Sequence, residues 1–415
     1  MSFWLLGLMG LLLLHYCIHC GVEWLNLRSL STAVPVAVQD TIDASTYARS
    51  QAYTTSRTRL DITTASLDLG VWLLLLGSGV LGDLDAWIGA AGLGETVSGL
   101  VFFAALGLGL YLVHLPVHIY ATFRIEQRYG FNTTTAGVFW ADQLKTLVLT
   151  ALLAGVLLST VLLFFQAFPR TGWLWAWLSI SLVVLLLQVV TPRWILPLFN
   201  RFTPLEEGPL RQQLTDLAHA AGFRLASIAV MDGSKRSTKA NAFFAGLGKT
   251  KRIALFDTLV QTLTPREVAA VLAHEIGHNV LGHIPRLIGG TVLKIGLFLA
   301  LFALLKDHQG LIQGAGFEEA SLHAGLTVFF LVLTPVGLLL GAWHNTRARR
   351  YEFEADRYAA RLTEAPQDLI SALKRLAAHN MANLTPHPWH VALYASHPPL
   401  LKRLEALDQE AGDHV

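Results

Sequence analysis

The chain has 415 residues, 53% of them hydrophobic and only 14% charged, and its mean hydropathy of +0.48 excludes an ordinary soluble globular domain as the first expectation. Formal net charge is +2, from 31 Lys and Arg against 29 Asp and Glu, a balance with no nucleic-acid footprint. Two cysteines, Cys17 and Cys20, lie in one apolar stretch, which argues for membrane-helix residues and against a disulfide framework.

A bilayer core takes roughly 20 mostly apolar helical residues, and seven stretches qualify: 3–20, 64–82, 97–120, 147–166, 173–191, 287–305 and 323–343. The first lacks a basic leader and a small-residue cleavage site, so it reads as a retained helix. The second is the weakest, carrying Asp68 and ending at Asp83 and Asp85. Loop cations orient the chain. Arg28, Arg49, Arg57 and Arg59 fall in 21–63, Arg124, Arg128 and Lys145 in 121–146, and most others in 192–286 and 344–415, while the alternate segments hold only Arg170 and Lys306. The cation-rich set is expected to face the cytoplasm, which requires an odd number of spans and so supports the second. On that side the patterns Asn132-Thr133-Thr134 and Asn383-Leu384-Thr385 are expected to stay unglycosylated. The expected division is a membrane region, 1–191, with five spans, then a region 192–415 that contains two more.

Within 192–286 the sequence predicts a helix over 204–222 and three short strands over 225–231, 240–245 and 252–256, hence a small sheet. Thr264-Pro265-Arg266-Glu267 is a capping box with proline at the first helical position. The helix it starts is expected to reach about His283, with Pro285 beyond. Gly248-Lys249-Thr250 imitates the end of a phosphate-binding loop, but that loop's first glycine would fall at Phe243, so no nucleotide site follows.

On the capped helix lies His274-Glu275-Ile276-Gly277-His278. Residues four apart share a helix face, so both imidazoles can reach one ion while Glu275 stands beside them, able to hold a water. A catalytic zinc takes three protein ligands, so one more must come from elsewhere. Glu352 is the candidate, in Arg350-Tyr351-Glu352-Phe353-Glu354-Ala355-Asp356 on a helix continuing from the seventh span. Asp356, one turn on, could then orient a ligand imidazole, with Glu354 pointing elsewhere. Spacing alone equally allows a solvated helix of i,i+4 ion pairs.

Further runs include Glu126-Gln127-Arg128-Tyr129-Gly130-Phe131-Asn132, Pro197-Leu198-Phe199-Asn200-Arg201-Phe202, Asn241-Ala242-Phe243-Phe244 and Ser396-His397-Pro398-Pro399-Leu400. With the H-E-x-x-H and E-F-E-A-D runs, the chain resembles the CAAX prenyl protease 1 group of the M48 zinc metalloproteases, the Ste24-like membrane proteases. The resemblance implies one Zn2+ per chain on His274, His278 and Glu352, Glu275 as general base, Asp356 behind a ligand, and a wet intramembrane chamber with the zinc at its cytoplasmic end. The expected fold is an all-α transmembrane bundle of about seven helices with a cytoplasmic, gluzincin-type metalloprotease part containing a small β-sheet.

The expected reaction is peptide hydrolysis, with the strand carrying Asn241, Ala242, Phe243 and Phe244 docking an extended substrate. The resemblance favours His397 for stabilising the oxyanion, the alternative being a histidine that structures the Ser-His-Pro-Pro turn. Substrates would be peptides or proteins, prenylated or otherwise membrane-associated, at the bacterial inner membrane or the endoplasmic reticulum. Lys239 stands where the family often has histidine. His114, His118 and Lys294, polar residues within spans, would read by themselves as interior packing or interfacial residues, and the wet chamber that the resemblance implies would accommodate them as its lining. Two rivals remain: an HtpX-like quality-control protease, typically with fewer spans, and a non-catalytic scaffold or transporter.

Overall fold

The structure is a computed structural model that describes residues 2–223, 227–245 and 252–412. Its first part is helical: α1 (Phe3–Arg28), α2 (Ala44–Ser78), α3 (Val80–Gly89), α4 (Glu95–Tyr120), α5 (Ala136–Ala167) and α6 (Gly172–Val190). A wider π-helical turn over Thr191–Ile195 joins α6 to α7 (Leu196–Phe199), where Pro192 can give no intrahelical N–H. Among the described residues seven helices are long and apolar enough to cross a membrane. The seven expected spans are all there, each in a helix longer than the hydropathy suggested.

The second span starts early and ends differently from expectation. α2 has 35 residues and stops at Gly79, whose φ of +78° is open to glycine at little steric cost. Asp83 therefore belongs to α3, as does Asp85, which meets His323 Nε2 at 2.7 Å.

The sheet holds β1 (Phe202–Pro204), β2 (Ser227–Met231), β3 (Ala242–Ala245) and β4 (Arg252–Phe256) in the order β1-β2-β4-β3. β2 and β4 are parallel, the outer pairs antiparallel. The helix expected over 204–222 begins only at Pro209, as α8 (Pro209–Ala220). Pairing with β2 claims its first residues: Phe202 to Pro204 oppose Met231 to Ala229, and Leu205 N–H donates to the Ile228 carbonyl. Residues 225 and 226 of the first expected strand, and Gly248-Lys249-Thr250, lie outside the described residues.

After α9 (Asp257–Thr262), α10 (Pro265–Val280) opens with the expected capping box: Thr264 N–H donates to Glu267 Oε2 at 2.7 Å and Glu267 N–H to Thr264 Oγ1 at 3.4 Å. α10 does not reach His283. The chain turns at Gly282, φ +70°, and α11 (His283–Leu305) begins at once, with Pro285 tolerated in its first turn where no N–H is needed. α12 (Gln309–Gly314) leads to α13 (Leu322–Thr363), 42 residues without a break. At 1.5 Å per residue that is about 63 Å, roughly twice a hydrocarbon core, so its second half lies outside the span.

α14 (Pro366–His379), α15 (Pro388–Tyr394) and α16 (Leu400–Gly412) pack around that second half. α10 is sandwiched between two apolar cores. Val268, Leu272 and Ile276 face the sheet with Leu255 and Leu259. Ala270 and Ala273 meet Ala359, Leu369 and Leu404. Gly277 allows the close approach of α13, since a Cβ built there would lie 3.2 Å from the Ala355 Cα.

Candidate metal centre and cleft

α10 and α13 bring three donors together. His274 Nε2 and His278 Nε2 are 3.2 Å apart. Glu352 Oε1 lies 3.2 Å from His278 Nε2, and Glu352 Oε2 3.5 Å from His274 Nε2. Bonds of roughly 2.0–2.2 Å to a tetrahedral ion would separate its ligands by about 3.3–3.6 Å, so the triangle has the size zinc asks for. Glu352 Oε2 is also buried with no hydrogen-bond partner among the described residues, and its nearest cationic contacts, His274 Nε2 and Arg403 Nη1, lie at 3.5 Å.

Charge points the same way. Glu275, Glu352 and Asp356 surround the cluster with one guanidinium, Arg403, among them. With neutral imidazoles the site is short of two positive charges, the deficit a divalent cation fills. In its absence His274 attracts a proton: burial lowers its pKa, but Asp356 and Glu352 outweigh that and push it up to about 9.

Asp356 Oδ1 lies 2.8 Å from His274 Nδ1, which holds the imidazole with Nε2 towards the donor triangle. Glu275 forms no ion pair or hydrogen bond among the described residues and lines the cleft. Burial raises its pKa, making the carboxylate a stronger base. Glu354 turns away, as expected, to His283 at 3.1 Å and Arg350 at 2.9 Å.

Sequence reasoning missed Arg403. It reaches from α16, with Nε 2.8 Å from Asp356 Oδ2, Nη2 2.6 Å from Oδ1 and Nη1 3.5 Å from Glu352 Oε2. No spacing rule links residues 47 apart, and the recognisable Ser-His-Pro-Pro-Leu run stops three residues short of it. That run places His397 at the rim, largely exposed, with Nδ1 3.0 Å from Ser396 Oγ and Nε2 3.5 Å from Glu352 Oε1.

The centre opens on a cleft of about 740 Å³ whose lining includes Glu275, Asn241, Ala242, His397 and Arg403. β3 is one of the sheet's two edge strands, so one side of its backbone is free of strand partners among the described residues. Of the expected docking residues Asn241 and Ala242 line the cleft, whereas the Phe243 ring turns to Phe256, 6.2 Å between centroids; Phe244 is described by its backbone in β3. Lys239 is engaged by the membrane part, 2.6 Å from Tyr53 Oη and 3.0 Å from Glu126 Oε2. A second cavity of about 720 Å³ between the spans is lined by His15, His19, Asp68 and His114, and Asp61 borders both cavities. His114 Nε2 meets Asp68 Oδ1 there at 2.7 Å. His118 and Lys294 are not in its lining.

Residues 23–201 match the family profile described as CAAX prenyl protease N-terminal, five membrane helices, and residues 204–411 match that of peptidase family M48. The chain is 32% identical to CAAX prenyl protease 1 of Saccharomyces cerevisiae, over 98% of this chain and 95% of that one. It is 33% identical to the CAAX prenyl protease 1 homolog of Homo sapiens, over 92% and 90%. The crystal structure of S. mikatae Ste24p superposes with a TM-score of 0.93 at 29% identity, covering 98% of this chain and all of that chain.

Proposed function

We propose, for a chain that belongs to the M48 metallopeptidase family and within it to the CAAX prenyl protease group, that it is a zinc endopeptidase trimming prenylated or other membrane-associated peptides. The observation that carries this reading is the triangle of His274, His278 and Glu352 beside the unengaged carboxylate of Glu275. The five-helix N-terminal match favours this group over an HtpX-like enzyme.

His274, His278 and Glu352 would hold the zinc, which when bound supplies a Lewis acid for the scissile carbonyl and a route to a nucleophilic water near neutral pH. Glu275 takes the proton of the attacking water and passes it to the leaving amine. Asp356 and Arg403 keep His274 in place, and His397 at the rim donates a hydrogen bond to the developing oxyanion. The substrate lies extended along the edge of β3, pairing its backbone at Asn241 and Ala242. The cavity between the spans, which Asp61 joins to the cleft, suits a substrate that arrives from the bilayer.

Following the loop cations, 192–286 and 344–415 face the cytoplasm, in an endoplasmic reticulum or bacterial inner membrane. The chain divides into a membrane region, 1–191, and a metalloprotease region, 192–415. The deciding experiment compares cleavage of a C-terminal peptide substrate by purified wild type and Glu275→Gln, each with its zinc content verified. The amide is nearly isosteric but cannot accept the proton, so the rate should fall ~10²–10⁴-fold with zinc retained. Equal rates would sink the mechanism.

A further inference from the structure

The two ligand histidines are supported from behind in different ways. His274 Nδ1 meets a carboxylate directly, Asp356 Oδ1 at 2.8 Å. His278 Nδ1 meets no carboxylate; it faces another imidazole, His283 Nδ1, at 3.0 Å. His283 is completely buried, stacked on Tyr351 with centroids 4.3 Å apart and planes 9° from parallel. Its other nitrogen, Nε2, lies 3.1 Å from Glu354 Oε2, and Glu354 Oε1 in turn accepts from Arg350 Nε at 2.9 Å.

Proton placement along this row is forced from one end. An imidazole that binds metal through Nε2 is neutral and carries its proton on Nδ1. That proton on His278 must find an acceptor, and His283 Nδ1 is the atom in reach. His283 must then keep its own proton on Nε2, where the Glu354 carboxylate accepts it. Every donor has one acceptor, and a tautomer change in either ring alone would set two N–H groups or two lone pairs against each other at the Nδ1–Nδ1 contact.

We infer that His283 is the positioning residue for His278, and that Glu354 completes a relay which fixes His278 as an Nε2 ligand. This rests on the zinc reading above. The fold supplies the geometry through the left-handed turn at Gly282, φ +70°, which brings His283 back beside His278 although both come from consecutive helices. Tyr351 and Glu354, one helical turn apart on α13, hold the ring from its face and its edge. Glu354, which sits outside the donor triangle, thereby acts on the ion at two removes.

The test uses the full chain purified in detergent: wild type, His283→Phe and Glu354→Ala. Phenylalanine keeps the stack on Tyr351 and removes both the acceptor for His278 and the donor to Glu354. Zinc affinity is read by competition with a chromophoric chelator, release rate by transfer to excess chelator, and ligand geometry by the visible spectrum of the Co2+-loaded protein. His283→Phe should bind zinc about 10–100-fold more weakly, release it faster and shift the Co2+ bands, with helix content unchanged. Glu354→Ala should move all three in the same direction by less. If both variants match wild type in affinity, release and spectrum, the relay is overturned; should His283→Phe not fold, Glu354→Ala decides by the same criterion. A wild-type protein that takes up no zinc overturns the zinc reading and the relay with it, so the two failures are distinct.

Discussion

Arg403 offers the sharpest test of how the centre is held together. In Arg403→Met the side chain keeps its length and loses its charge. What it leaves behind is Asp356, with a side chain 2% exposed, and Glu352, 9% exposed. Two charge-assisted hydrogen bonds, at 2.8 and 2.6 Å, vanish together. Breaking a buried ion pair from one side costs about 3–5 kcal/mol, because the remaining charge has no water to turn to. The metal-free protein should lose about that much, a factor of roughly 10²–10⁴ in its unfolding equilibrium. Arg403→Lys keeps the charge but not the two-pronged fork, so its loss should be smaller, about 1.5–3 kcal/mol for one such bond. The assay is denaturant unfolding of the detergent-purified, metal-free chain, followed by fluorescence, with zinc titrated back. Zinc brings positive charge to the same cluster, so it should stabilise Arg403→Met more than wild type. A metal-free Arg403→Met within 1 kcal/mol of wild type would refute the reasoning, for it would mean the carboxylates need no cation.

Glu352→Ala should lose its zinc, since two imidazoles hold the ion far more weakly than three protein ligands; one zinc per purified chain would move the third ligand elsewhere. Glu267 ties the start of α10 to α14, accepting from Ser371 Oγ at 2.6 Å and pairing with Arg375 Nε at 3.0 Å. Burial raises its pKa, but these partners and Thr264 outweigh it and hold it below the ordinary carboxylate range. Its stabilisation is therefore present at neutral pH and lost as pH falls through the lowered value. Glu267→Ala should cost about 1–3 kcal/mol at pH 7, and a gap from wild type that stays constant into strong acid would contradict this. In a chain with Cys17 and Cys20 replaced by alanine, Ser234→Cys should label only with reagents reaching the cytoplasm, and Ala91→Cys only from the opposite side. Labelling of both from one side would break the topology.

The membrane spans were legible in the sequence because crossing a bilayer is decided locally, by some 20 apolar residues that satisfy their own backbone in a helix. So were the start of α10, fixed by a capping box over four residues, and the pairing of His274 with His278, fixed by the pitch of one helix. The helix expected over 204–222 shows where local reasoning stops: the first residues of that stretch pair with a strand more than twenty residues on, and pairing with β2 overrides their helical pattern. Glu352 could be named from sequence, but spacing alone gave it an equal chance of being a solvated surface residue. Only the packing of α13 on α10, through the gap left at Gly277, turns that carboxylate inward. Arg403 and His283 had no local signature, since one acts across 47 residues and the other through a left-handed turn at Gly282 that helical periodicity does not record. The sequence thus determined which segments cross the membrane and where two ligands sit. Tertiary structure alone decided which charges meet, because a buried carboxylate is held by whatever distant cation or ion the fold brings to it, and no periodicity along the chain records that meeting.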